Sequence, residues 1–322
     1  MALGRTLAIG LCCAGTLGRA RADSLDDSSL RRELAGHVFF PSLVVANPFL
    51  STHLALFTAA GYDWIEGPDF DAIGNLAARP VTRERSYAAQ AIAEGVTFQA
   101  NVTDYLAIRI AGGGGLEGGS NGRSALVVGA IQPITAGAGA TLGWSFGNNA
   151  RLGFTFDFVY THFKLIQPLV AIQDSLAAGR VQASSASEKL NDYSPQPGFA
   201  FAIAPSPTLG VLASAQYSST SLSDTTTRHF QFVALGASGQ VDLGATSAIP
   251  IGLLLSYRAT IPFESDVRFT HTLEGGVFYT GRKELDLGLD VQAKWFDLHP
   301  EHRIRLDTTQ LIGVVELRYH WN

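Results

Sequence analysis

The chain ends in a stretch of alternating side chains, LIGVVELRYHWN, at residues 311–322. One face of this stretch carries Leu311, Gly313, Val315, Leu317, Tyr319 and Trp321. The other face becomes polar toward its end, with Glu316, Arg318 and His320. Because successive residues of a strand point to opposite sides, the pattern predicts a strand with one apolar and one polar face. Tyr and Trp at the end of the apolar face favour a boundary between apolar and aqueous surroundings.

The composition favours strands that face apolar surroundings on one side. The 322 residues suffice for one large barrel or two ordinary domains, and only 16% of them are charged. Typical soluble domains have about 25% charged residues. After the N-terminus the sequence contains no run of about 18 apolar residues, which disfavours membrane helices.

The first 22 residues predict a secretory signal peptide. Arg5 precedes the apolar run LAIGLCCAGTLG, and the small residues of Ala20-Arg21-Ala22 predict cleavage after about Ala22. Both cysteines lie in this segment, so the mature chain has no thiol. Its loss removes three of the 23 basic residues, leaving 20 against 28 acidic ones, a net charge of about −8. This charge argues against a nucleic-acid partner.

Residues 23–50 predict a periplasmic N-terminal segment or a plug. The stretch HVFFPSLVVANPFL (37–50) is apolar, but Pro41 and Pro48 disfavour a helix or a central strand. It is either an ordinary lead-in to the strands or a segment that enters their interior.

Residues 51–322 contain about 12 strand patterns. They cover 53–64, 86–100, 103–112, 135–146, 150–163, 197–205, 207–218, 229–242, 249–260, 266–280, 284–296 and 308–322. Fourteen strands are the alternative, if 120–134 is itself a strand. In 86–100, Glu94 falls on the apolar face, which predicts either a bulge at Gly95 or a wrong assignment. Long and short connections alternate along the series, as in an up-and-down barrel.

The terminal strand with its aromatic end resembles that of bacterial outer-membrane β-barrels, with Asn322 one position beyond the usual aromatic end. The resemblance extends over most of the mature chain, without a motif of any single family. It implies a closed antiparallel transmembrane β-barrel in the outer membrane of the Gram-negative cell envelope, with short periplasmic turns and long external loops. It also implies contact with outer-membrane lipid, and recognition of the last strand by the barrel assembly machinery.

Aromatic residues near strand ends are expected at the membrane interfaces. These are Trp64, Trp144, Tyr160, Tyr257, Trp295, Tyr319 and Trp321. A second set alternates onto the polar faces and is expected in the lumen. It comprises Arg109, Arg151, Asp157, Arg258, Arg268, Glu274, Asp286, Asp290, Lys294, Glu316 and Arg318. These charges either line a selective pore or form ion pairs that fill the interior.

We expect no catalytic residues, metal or cofactor. One outer-membrane phospholipase family places His, Ser and Asn on the outer face of a 12-stranded barrel. Here the outward His271 is expected to have only apolar residues and Tyr257 beside it, so no nucleophile is activated. The loop residues His299, Glu301 and His302 are a weak metal signal, better explained as a solvated loop.

The sequence therefore favours a porin-like channel or transporter for small solutes rather than an enzyme. The alternatives are a structural or surface-interaction barrel without transport and, less favoured, a lipid-modifying enzyme. A soluble β-rich secreted protein is the alternative at the level of the fold.

Overall fold

The computed structural model describes residues 32–68, 84–121, 124–125, 129–166, 168, 171–172, 175, 178–179, 187–223, 227–263, 269–298 and 306–321. The predicted signal peptide, Arg268, the His299–His302 loop and Asn322 lie outside these residues.

Twelve strands form a closed antiparallel barrel. They are β3 (His53–Pro68), β4 (Glu84–Thr103), β5 (Leu106–Gly119), β6 (Ala130–Phe146), β7 (Ala150–Ile166), β8 (Ser187–Ser206), β9 (Leu209–Ser223), β10 (Thr227–Asp242), β11 (Ile251–Pro262), β12 (Thr270–Tyr279), β13 (Leu285–Leu298) and β14 (Leu306–His320). Each strand pairs with its neighbours in sequence, and β14 pairs with β3. The predicted all-β, 12-stranded up-and-down barrel is confirmed, and the alternative of 14 strands is wrong.

A small hairpin precedes the barrel. Strands β1 (Glu33–Leu34) and β2 (His37–Val38) pair with each other, outside the barrel sheet. Their turn has φ of 48° at Ala35 and 84° at Gly36. Positive φ at both central residues is the geometry of a tight hairpin turn.

The two ends of the barrel differ in their connections. One end, here called the turn end, has the connections 104–105, 147–149, 207–208, 243–250 and 280–284. The other end, here called the loop end, has the connections 69–83, 120–129, 167–186, 224–226, 263–269 and 299–305. The longest connections, 69–83, 120–129 and 167–186, are all at the loop end, as expected, but 243–250 at the turn end is longer than 224–226, 263–269 and 299–305. The connection 224–226 is shorter than predicted because β9 and β10 extend further toward this end.

Burial alternates along the strands, with the large apolar side chains on the outside. On β11, Leu253 and Leu255 are 43% and 62% exposed, whereas Leu254 and Ser256 are 4% and 1% exposed. The inward positions are therefore covered by something inside the barrel. No helix in the described part of the chain is long and apolar enough to cross a bilayer.

The expected bulge at Gly95 is absent. The register of β4 with β3 and β5 is continuous through Glu94 and Gly95, and the shift lies between Asn101 and Thr103. Glu94 consequently points outward and is exposed. Gly95 has a different reason to be glycine, since a Cβ there would lie 2.2 Å from the Phe57 ring inside the barrel.

The ladder between β8 and β9 is interrupted over residues 194–197. Pairs form from Asn191 to Tyr193, and the same register resumes at Gly198. Pro195 and Pro197 lie in the interruption on the outward face of β8. Since proline has no N–H to donate, the two prolines account for the missing pairs.

The Phe57–Gly95 contact predicts a specific sensitivity. We expect Gly95→Val to destabilise the barrel by about 1–3 kcal/mol, because the added side chain must displace a packed ring. Thermal unfolding followed by far-UV circular dichroism measures this effect. Gly239→Val on β10 is the matched control, since nothing lies within 4 Å of a Cβ at Gly239. Equal melting temperatures for the two variants would contradict the packing of Phe57.

Candidate functional site

Residues 32–50, here called the inner segment, cross the inside of the barrel. The Phe40 amide donates to Gln240 Oε1 on β10 at 2.7 Å, and Gln240 Nε2 donates to the Phe40 carbonyl at 2.9 Å. Gln99 on β4 donates to the Phe49 carbonyl at 3.1 Å. Because β4 and β10 stand on opposite sides of the ring of strands, the segment spans the lumen.

The inner segment lies at the turn end. The Ala35 amide donates to the Asn148 carbonyl in the β6–β7 turn at 2.8 Å. His37 Nδ1 lies 3.1 Å from the Pro207 carbonyl in the β8–β9 turn. Arg32 donates to the Lys283 carbonyl in the β12–β13 turn at 2.8 Å. Three separate turns thus hold the start of the segment.

Inward glycines of the wall make room for the segment. A Cβ at Gly252 would lie 2.2 Å from the Phe40 ring, and one at Gly210 would lie 2.3 Å from the His37 ring. A Cβ at Gly153 would lie 2.8 Å from Pro48. Phe40 also stacks on Phe278 of β12, with ring centroids 5.4 Å apart. The wall is therefore shaped to receive these side chains.

Asp286 and Glu274 are the main acidic contacts of the segment. Asp286 accepts from Arg32 at 2.6 Å and from His320 Nε2 at 2.9 Å, and all three residues are buried. Glu274 accepts from the Ser42 hydroxyl at 2.5 Å and from the Leu43 amide at 2.9 Å. Two of the predicted lumen residues therefore bind the segment directly.

The other predicted lumen residues that the structure describes also lie on the inward face. Arg151 donates to the Pro48 carbonyl at 3.0 Å, and Arg258 reaches the Val44 carbonyl at 3.5 Å. Arg318 pairs with Glu316 at 2.7 Å. Lys294 lies over the Phe296 ring, 4.7 Å from its centroid.

Arg109 and Asp157 form an ion pair next to an open space. A cavity of about 220 Å³ borders this pair and Gln196. Along β7, Asp157 lies further from the turn end than Arg151 and Gly153, the two residues of that strand that contact Pro48. The lumen thus retains free volume beyond the inner segment.

Asp290 differs from Asp286 in having no hydrogen-bond partner among the described residues. Asp290 is 2% exposed, and neither of its carboxylate oxygens has a hydrogen-bond partner among the described residues. One oxygen of Glu316 is in the same state. Asp290 fits against the wall because the facing residue on β12, Gly276, has no side chain. A buried carboxylate without a partner is costly, so Asp290 is an unfavourable position for a charge.

The predicted interface aromatics lie on the outer face, and all but Tyr257, which is in the middle of β11, are near a strand end. Trp64, Trp144, Tyr257, Trp295 and Tyr319 are 42–53% exposed. Tyr160 and Trp321 are half-buried. Tyr160 donates to Asn191 Oδ1 at 2.9 Å, and Trp321 stacks on Phe98 with centroids 6.0 Å apart. This placement gives an aromatic row at each end of the barrel.

Two outward histidines bear on the question of an enzyme. His271 contacts the Tyr257 hydroxyl at 2.6 Å and lies opposite Ala259 and Trp295. His229 Nδ1 lies 2.9 Å from the Ser221 hydroxyl near the loop end, a pair that sequence reasoning missed. In the described part of the chain no carboxylate contacts His229.

Metal-ligating geometry is likewise absent from what the structure describes. Among these residues, no group of three or more His, Cys, Asp or Glu side chains is placed to hold a metal ion.

Comparisons with known proteins give a likeness of fold. No family model and no curated protein matches the chain. The chain is similar to a FadL homologue of Pseudomonas aeruginosa, at 10% identity and a TM-score of 0.48, over 92% of this chain and 98% of that one. The Pseudomonas putida toluene transporter TodX is similar at 10% identity and a TM-score of 0.45, over 91% of this chain and 98% of that one. The transport unit of the Escherichia coli autotransporter AIDA-I is similar at 8% identity and a TM-score of 0.48, over 98% of this chain and 97% of that one. The likeness is at the level of the class, bacterial outer-membrane β-barrels.

Asp290 and Asp286 should respond oppositely to neutralisation. We expect Asp290→Asn to raise the unfolding temperature, because an amide cannot take on the charge that burial at this position penalises. We expect Asp286→Asn to lower the unfolding temperature, because Arg32 loses its charged partner. Circular dichroism melting of both variants measures the contrast. A decrease for both would show that Asp290 has a stabilising partner.

Acid should loosen the inner segment through His37. Burial lowers the pKa of the His37 imidazole, an effect that the Pro207 carbonyl and the nearby Asp242 charge only partly oppose. A displaced segment would regain a pKa of about 6.5 and bind a proton more readily. The stability of the seated segment is therefore full above about pH 6.5 and declines as the pH falls below it.

A buried thiol can report this loosening. Val45 is 2% exposed, and the predicted mature chain has no cysteine, so Val45→Cys gives one buried probe. The protein is equilibrated at each pH and then exposed to a maleimide in a short pulse at one common pH. We expect the fraction of the thiol that reacts to rise as the equilibration pH falls below about 6.5. His37→Gln, which keeps a donor toward Pro207 but cannot titrate, should flatten the profile. An unchanged profile in that variant would assign the pH dependence to another group.

Proposed function

We propose that this chain is a bacterial outer-membrane β-barrel that passes small solutes through its lumen, with the inner segment as its closure. The outer surface supports the membrane location. Large apolar side chains face outward on strands all around the ring, among them Ile110, Phe158, Leu255 and Leu289 at 42–63% exposure. A soluble monomer does not expose a continuous apolar surface of this extent.

The proposed orientation places the turn end in the periplasm and the loop end outside. Short periplasmic turns and long external loops are the rule in outer-membrane barrels. The proposal includes removal of residues 1–22 on export and recognition of β14 by the barrel assembly machinery.

One observation carries the proposal of a pathway: the turn end is filled by a separate segment rather than by side chains of the wall. Where the segment lies, wall positions such as Gly153, Gly210 and Gly252 are glycine. A barrel that needed only a filled interior would carry large side chains at these positions. Without the segment, these positions would leave the turn end open.

The charged wall suggests the kind of solute. Asp290 and Glu316 lie unpaired or partly paired on the inward face, and the Arg109–Asp157 pair borders the free cavity. We infer a preference for small polar or cationic solutes. The proposal assigns no catalytic step to the barrel.

A structural barrel is the second candidate, favoured by the buried Arg32–Asp286–His320 contacts, which would suit permanent closure. Such a barrel would act through its external loops and would remain closed.

Conductance across a planar lipid bilayer separates the two candidates. We expect the refolded mature protein to be closed or weakly conducting, and a variant lacking residues 32–50 to give stable unitary steps. Gly252→Val should also raise the open probability by displacing Phe40, whereas Gly275→Val, with nothing within 4 Å of its Cβ, should not. Heat-dependent gel mobility verifies that each variant is folded. A folded deletion variant that stays silent would support the structural barrel.

A further inference from the structure

Two lysines face each other on the outer surface at the loop end. Lys164 on β7 and Lys189 on β8 are directly opposite partners in the ladder, and both are exposed. Like charges directly opposite on neighbouring strands destabilise a sheet. Neither lysine contacts an acidic group among the described residues. The pair therefore favours an anion from outside the chain.

The described outward surroundings of the two lysines are basic or neutral. His162 lies two residues before Lys164 on the same outward face and contacts Asn191 at 2.9 Å. His229 lies two strands away on β10, on the same outward face near the loop end. The described outward positions of β6 to β10 include no Asp or Glu. In contrast, Glu66 and Glu94 are exposed on the outward faces of β3 and β4. Lys164, Lys189 and His162, here called the basic patch, thus lie on one side of an acidic protein.

The level of the patch is set by its aromatic neighbours. Tyr160 and Tyr193 lie next to it toward the turn end, with ring centroids 5.1 Å apart. Below them, Phe156 and Phe158 are 44% and 42% exposed. Tyrosines mark the boundary between the hydrocarbon and the headgroups, so the lysines lie at headgroup level.

We propose that Lys164, Lys189 and His162 bind the phosphate of a phosphorylated lipid in the outer leaflet. The inference rests on the proposed membrane location and orientation. A phosphate offers several oxygens to the two ammonium groups and the imidazole. The bound anion would offset the repulsion between the two lysines. Basic side chains at headgroup level attract anionic lipids in this way.

Lipid binding by the folded protein tests the proposal. Native mass spectrometry of the purified barrel would count bound bis-phosphorylated lipid A, with dephosphorylated lipid A and inorganic phosphate as separate arms. We expect the double variant Lys164→Gln/Lys189→Gln to bind the phosphorylated lipid about tenfold more weakly. Lys283→Gln is the matched control, because Lys283 is exposed at the turn end and pairs with Glu33 at 3.0 Å. Its lipid binding should equal that of the wild type.

The arms distinguish the outcomes. Equal binding of the dephosphorylated lipid, or equal loss in Lys283→Gln, would overturn the proposal. Retention of inorganic phosphate without preference for the phosphorylated lipid would show an anion site that is not a lipid site, and would also overturn it. Gel mobility and bilayer insertion are measured on the same samples. A barrel that does not insert would refute the proposed membrane location, whereas one that inserts normally but shows no phosphate preference would refute only the lipid site.

Discussion

The pairing of β14 with β3 is the constraint on which the rest of the structure depends. Leu317 lies opposite Leu56 and Tyr319 opposite Leu54, so the last strand satisfies the free edge of the first barrel strand. Closure removes both sheet edges and fixes an inside and an outside for every residue. The apolar outer surface, the polar inner face and the enclosed lumen all follow from this one ladder.

Closure also creates the problem that the inner segment solves. A ring of twelve strands encloses more space than small inward residues can fill, and the segment occupies that space at the turn end. Since Pro41 and Pro48 keep the part of the segment after β2 from pairing as a strand, its backbone groups need other partners. Gln99, Arg151 and Gln240 provide them from three strands. Hydrogen bonds from side chains of the barrel wall thus take the place of the backbone hydrogen bonds of a strand ladder.

The strands could be predicted because their signal is local: alternation with a period of two appears within a few residues. The path of the inner segment could not, because its partners lie on strands far apart in sequence. Pro41 and Pro48 fit both a lead-in and a segment in the lumen. Glu94 violates the alternation, yet the register is kept because Gly95 must face inward beneath Phe57. The Ser221–His229 contact depends on how closely β9 and β10 approach across residues 224–226, which the sequence pattern misjudged.

The energetics of the inner segment limit how a pathway opens. Leu34, Phe39, Val44, Val45 and Phe49 form an apolar cluster with Leu212 and two alanines of β8. Exposing five such side chains costs on the order of 10 kcal/mol. Ejection of the whole segment would then be too rare at equilibrium to support transport. The contacts of Phe40 and Ser42 with β10 to β12 lie outside this cluster. They combine hydrogen bonds to Gln240 and Glu274 with a smaller apolar cluster, in which Phe40 is the one residue of the inner segment. A pathway that opens on that side, while the cluster keeps the segment attached to β8 and β9, needs far less free energy. If only full removal of the segment produces a pathway, an external partner must supply the difference.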